Sequence, residues 1–218
     1  MGMVERPALN RARVVRAAVA VADRRGLAGV SMRSVGRELG VEAMSLYHHV
    51  SGKEALLDAM VDWIFVRIEL PGTGQPWRQA MEDRCASARA VLARHPWALG
   101  LMESRTSPGP ALLHHHDAVL GCLRANGFPV RLAAHAYSAL DSYVYGFVLT
   151  ELHLPFAPGE GAEEFTAELA PPPDRYPHLA EFITEMVVGR EYAYGDEFSY
   201  GLALVLDQLE QRLADQRP

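Results

Sequence analysis

The stretch GLAGVSMRSVGRELGVEAMSLYHHVSGKEALLDAM, residues 26–60, sets two short apolar stripes on either side of Gly40. Ser31 is a residue type that caps helices; Met32, Val35 and Leu39 recur behind it at helical spacing, and Gly40 supplies the stop. A further segment, Ala43 to Val50, begins almost at once. Two helices of about eight residues joined by a short turn around a glycine is the helix-turn-helix pattern. Ser51 and Glu54 have capping-box spacing and open the next helix, which runs through Leu56, Leu57, Met60, Ile64 and Phe65.

A helix as short as 43–50 cannot stand alone in water, so Leu46 and Val50 must pack on the two helices before it. Its other face is then free to enter a major groove, which admits an α-helix. The methyl groups of Ala43 and Met44 suit a thymine methyl, and Ser45 suits a base edge or a phosphate. Arg33, at the start of the preceding helix, suits a guanine edge. Tyr47 and His49 offer polar tips for phosphates, and Lys53 lies in a first helical turn, where backbone N–H groups already favour an anion. His48 points at packing or a groove edge. The adjacent pair His48 and His49 diverges by about 100°, too far to share one metal ion.

Upstream, Asn10 is the expected cap of a helix with Val14, Val15, Ala18, Val19 and Ala22 on one stripe, ended by Gly26. Downstream, Pro71, Gly72, Gly74 and Pro76 break the chain. Length alone allows one or two domains; the break suggests a head over 1–66 and a helical body over 67–218. In the body, helices are expected at about 77–94, 97–105, 110–126, 129–152 and 196–215, with a short one over 178–188. Residues 155–177, rich in Pro, Gly and acid, read as a loop with a helical turn near Glu163–Leu169. The fold class is all-α.

Charge is divided the same way. Residues 1–60 carry nine Lys and Arg against six Asp and Glu, while the rest carries twelve against twenty-one. A basic head that meets phosphate and an acidic body that is repelled by it fit that division. Cys85 and Cys122 have no CxxC spacing and the first residues lack the apolar run of a signal peptide, so a cytoplasmic protein with reduced thiols is expected. No window reaches about 18 consecutive apolar residues, and no membrane partner is expected.

The 26–60 stretch resembles the DNA-binding head of the tetracycline repressor family, most clearly in its LGV turn, the LY-x-H-V run and the K-x-ALLDA helix. Beyond residue 65 the resemblance thins to helix order and to "ANGF" at 125–128 and "FSYGLALVLDQLEQRL" at 198–213. It implies an all-helical homodimer that binds a pseudo-palindromic double-stranded operator and is released by a small-molecule effector. By motif match, Arg33, Ala43, Met44 and Ser45 face bases, and Met32, Tyr47, His49 and Lys53 take backbone-contact positions. His48 stands where an aromatic usually packs against the head. The same alignment places Glu69, Arg84, Glu103, His116, Tyr137 and Asp141 near an effector pocket. The family member that binds magnesium–tetracycline has a histidine where Glu103 stands and a glutamate where Thr150 stands, so tetracycline is not the expected effector.

Two apolar helices, 129–152 and 198–213, could form a four-helix dimer seam or plain core. The run His114, His115, His116, Asp117 fans around a helix and cannot chelate one ion by itself; His116 is expected to line the interior. No G-x-S-x-G, H-E-x-x-H or paired-carboxylate motif is present, so neither an enzyme nor a metal or cofactor site is expected. The competing reading is a dimeric DNA-binding regulator or activator that needs no ligand.

Overall fold

The computed structural model describes residues 8–72, 74–156 and 161–216, and every regular element among them is helical. The chain divides into two compact units, Met1–Pro129 and Val130–Pro218. In the first, α1 (Arg11–Arg25) is capped by Asn10, whose Oδ1 accepts the Arg13 N–H at 2.9 Å. Its stripe of Val14, Val15, Ala18, Val19 and Ala22 is buried. A single 3-10 turn, Leu27–Gly29, leads to α2 (Met32–Leu39). Ser31 and Ser34 cap α2 reciprocally: the Ser34 N–H donates to Ser31 Oγ at 3.1 Å and the Ser31 N–H to Ser34 Oγ at 2.9 Å.

The turn after α2 rests on two glycines. Gly40 has φ of 67°, the left-handed region that favours glycine. At Gly36 a Cβ would lie 2.9 Å from the Val41 carbonyl oxygen, so a side chain there would force the turn off the helix. In its place the Val41 N–H donates to Gly36 O at 2.9 Å. Regular α3 covers only Ala43–Leu46, shorter than the 43–50 expected from sequence. Beyond it the chain leaves the helical path while burying Val50 as well as Leu46, with the His49 and Val50 N–H groups both returning to Leu46 O.

Next comes α4 (Lys53–Phe65), with Gly52 at its N-cap and no side-chain cap. The capping box expected of Ser51 and Glu54 does not form. Glu54 instead accepts from Arg105 Nη1 at 2.6 Å, a charge-assisted bond that outweighs a neutral cap. Then follow α5 (Trp77–Arg94), α6 (Trp97–Glu103) and α7 (Pro110–Ala125). Helix α4 packs on α1, α6 and α7, and α5 packs on α7. The break at 71–76 therefore separates α4 from α5 along the chain, yet compactness groups both in one unit.

The second unit consists of α8 (Val130–Leu152), α9 (Ala162–Leu169), α10 (Pro177–Phe182) and α11 (Glu197–Ala214). Helix α9 is the turn expected within 155–177, of which 157–160 lie outside the described residues. The helix expected over 178–188 is α10 continued by a wider π-type turn, Ile183–Val187. Aromatic rings join α8 to α11 and to the turn before it: Phe147 meets Phe198 of α11 edge-on at 5.1 Å and Tyr194, in the 3-10 turn Tyr194–Asp196, in a stack at 4.8 Å. The Tyr143 hydroxyl donates to Phe198 O at 2.8 Å.

The two serines separate a made cap from an unmade one. Ser31→Ala should lower unfolding stability by about 1 kcal/mol in urea titrations, whereas Ser51→Ala should stay within about 0.5 kcal/mol of the parent.

Candidate functional site

Leu46 is fully buried, and that fixes which residues of α3 can face outward. Met44 is 73% exposed and Tyr47 47% exposed; Arg33, His48 and Lys53 are exposed; Ala43, Ser45 and His49 are half-buried. These residues come from α2, α3 and the start of α4, one continuous piece of chain, and none of their side chains is drawn into the core. His48 is exposed and does not pack against the head as the aromatic of the family would. Met32 differs: its side chain is buried, and only its backbone N–H, in the first turn of α2 where helical N–H groups have no internal acceptor, is left for a phosphate.

Three carboxylates tie α4 to the segment that joins α6 to α7. Arg105 donates to Glu54 at 2.6 Å and, through Nε and Nη2, to Asp58 at 2.7 and 2.6 Å. These partners hold the Arg105 guanidinium above its ordinary pKa, the hydrogen bond to Glu54 first. One turn further on, Asp62 Oδ1 accepts the Ala111 N–H in the first turn of α7 at 3.2 Å. A second tie anchors α1: Asp23 Oδ1 accepts the Trp97 indole N–H at 2.6 Å and lies 2.8 Å from His95 Nδ1. Sequence reasoning passed over Arg105, Asp23, His95 and Trp97, because their partners lie far away along the chain.

The interior of the first unit holds a buried polar pair. Arg84 and His115 are each 1% exposed, with Arg84 Nε 3.5 Å from His115 Nε2, and the His115 ring lies 5.4 Å from that of Phe65. This corrects the expectation for the histidine run: the inward residue is His115, and His116 is exposed. The helical phase accounts for it, since His115, Val119, Cys122 and Leu123 share the buried stripe of α7. Glu69 and Glu103, also expected near a pocket, are exposed, with the Glu69 N–H bonded to Ser87 Oγ at 2.9 Å. Tyr137 and Asp141 are half-buried on α8 in the second unit. Cys85 and Cys122 are buried and in no disulfide, and burial pushes the Cys122 thiol up. Among the described residues no group of three or more His, Cys, Asp or Glu could hold a metal ion, and no helix is long and apolar enough to cross a membrane.

The second unit carries an outward groove of about 480 Å³ between α8 and α11, lined by Leu132, His135, Ala139, Leu204, Val205 and Arg212 among others. Of the apolar stripe expected over 198–213, Phe198, Leu202, Leu206, Leu209 and Leu213 are buried and Val205 is half-buried, while Leu204, off that stripe, is exposed. The helix is thus core on one side and open on another.

Comparison with known proteins agrees with this architecture. Residues 14–60 match the family model for bacterial regulatory proteins of the tetR family, and residues 70–213 match the tetracyclin repressor-like C-terminal domain. The HTH-type transcriptional repressor DrrR1 of Streptomyces coeruleorubidus is 36% identical over 97% of this chain and 81% of its own. Among solved structures, the TetR regulator SCO7222 of Streptomyces coelicolor superposes with a TM-score of 0.76 at 25% identity, covering 96% of this chain and 100% of that one. The TetR family protein ActR of Streptomyces coelicolor, in complex with actinorhodin, does so with a TM-score of 0.74 at 25% identity, covering 93% and 96%.

The histidine correction has a direct check. Truncating the buried His115→Ala should cost about 2 kcal/mol or more in denaturant unfolding, through its lost packing and the polar partner left behind. His116→Ala should change stability by less than about 0.5 kcal/mol.

Proposed function

The chain belongs to the tetR family of bacterial regulatory proteins and is a DNA-binding transcriptional regulator; on that premise we propose that it is a homodimeric repressor, released from a pseudo-palindromic operator by a small-molecule effector. The observation that carries the DNA-binding part is the outward set Arg33, Met44, Ser45, Tyr47, His48 and Lys53, held in place by fully buried Leu46. In this reading residues 1–66 are the DNA-binding head and 67–218 the ligand-binding and dimerisation body. Arg33, Ala43, Met44 and Ser45 meet base edges in the major groove. Tyr47, His49, Lys53 and the Met32 backbone N–H meet phosphates, and His48 meets the groove edge. Ala43 cannot make the bidentate adenine contact of an amide side chain, so the operator sequence is this protein's own.

The α8–α11 groove supports the homodimer. Its apolar residues Leu132, Val205 and Leu204 line one open face of two long helices, which a second copy would complete as a four-helix seam. A two-fold dimer sets its recognition helices about 34–36 Å apart, one turn of DNA. The effector is assigned to the interior around Arg84 and His115, since a buried guanidinium beside an imidazole suits an organic ligand with acceptor groups. A body built for dimerisation alone has no need of that pair. A shift of the α6–α7 connection on binding would pass through Arg105 and Asp62 to α4, and from its first turn to Lys53. Release requires the effector to bind the two states unequally.

A gel-shift titration over several salt concentrations tests the head. Tyr47→Ala and Lys53→Ala should weaken binding to all duplexes alike, with the salt slope shallower by about 1 for Lys53→Ala, while Arg33→Ala should also relax base preference. Unchanged binding of all three variants would remove the assignment.

A further inference from the structure

The first unit carries a concave site whose lining does not include Arg84 or His115. An open groove of about 640 Å³ is lined by residues of α1 and α4, by Val66 and Arg67 just after α4, and by Pro110. Its walls are largely apolar, with Val15 from α1 and Val66 at the C-cap of α4, and Val66 is 72% exposed. Three guanidiniums edge it, those of Arg11, Arg16 and Arg67, against a single carboxylate, Asp62, which already accepts the Ala111 N–H. Arg67 lies flat over the Trp63 ring, 3.2 Å from its centroid, and donates to Trp63 O at 2.6 Å. Among the described residues neither Arg16 nor Arg67 has a carboxylate partner. Burial and the positive charge of Arg16 together hold the Arg67 guanidinium below its ordinary value.

Neighbouring arginines that outnumber the single carboxylate Asp62, beside an apolar wall, ask for one kind of occupant. We propose that this groove is a binding site for a small organic carboxylate with an apolar, ring-like body. The carboxylate lies between Arg16 and Arg67, and the body lies along Val15, Val66 and Pro110. Guanidinium–carboxylate pairing supplies orientation and the apolar wall supplies the burial. A DNA phosphate would satisfy the arginines but leave the apolar wall in water. The occupant touches α1 and α4 together, so it stiffens the packing of these two helices within the head.

Isothermal titration of the full-length chain with 2-naphthoate, and separately with uncharged 2-naphthalenemethanol, tests the site. The naphthoate should bind and the alcohol should bind at least about tenfold more weakly. Arg16→Gln and Arg67→Gln should each weaken naphthoate about tenfold, with melting temperatures near that of the parent because both side chains are exposed, while Arg94→Gln, on α5, should leave it unchanged. Four results would each overturn the proposal: no binding at millimolar naphthoate, equal affinity for the alcohol, unaltered affinity in both groove variants, or stoichiometric displacement of naphthoate by non-specific duplex DNA. The first three do not bear on operator binding, and the fourth would make the groove part of a DNA-contacting surface, so the fate of this site and that of the head are read separately.

Discussion

The burial of Leu46 is the contact on which the DNA-facing surface depends. A single helical turn has too few hydrogen bonds to repay the ordering of its backbone, and Ala43–Leu46 exists because its last residue is held in the core. With Leu46 inward, the helical period decides the rest: Met44, Tyr47 and His48 have nowhere to go but solvent or a ligand. The glycines at 36 and 40 serve the same end, one by letting the turn approach α2 and the other by reversing the chain in a left-handed conformation. The head is therefore one packing decision followed by geometry.

Helix α4 carries that decision into the rest of the first unit. Its apolar face, with Leu56, Met60 and Ile64, is buried, while Glu54, Asp58 and Asp62 at four-residue steps face the chain around α6 and α7. A helix held on two sides cannot shift without its neighbours, so the start of α4, beside the DNA-facing residues, is mechanically part of the interior that holds Arg84 and His115. Asp23 adds an independent hold on α1 through His95 and Trp97. Ion pairs to an exposed carboxylate, such as Arg105 with Glu54, add little to stability, and their value here is in fixing relative position.

Where a signal was local, it was legible in the sequence. The caps at Asn10 and Ser31, the stop at Gly40, the anchors Leu46 and Val50 and the outward residues of the head all follow from spacing and residue type. What depended on distant partners was not. Glu54 reads as a capping-box residue until Arg105, 51 positions later, claims its carboxylate. Met32 reads as a DNA contact by position, yet its side chain is core. The histidine run was ambiguous by spacing, because Val119 and Leu123 are in helical phase with His116 as well; Cys122, i+7 from His115, turns the buried stripe toward His115. The π-type turn at Ile183–Val187 and the groove between α1 and α4 left no local signal, since each arises from how separate segments meet.

The most direct test of the central claim, that the α2–α3 surface of a two-fold dimer reads DNA, is selection of bound fragments from a random duplex pool by the full-length chain. The account predicts enrichment of an inverted repeat whose half-site centres lie about one helical turn apart. Recovery of sequences with no two-fold relation, or no enrichment over the starting pool, would contradict it.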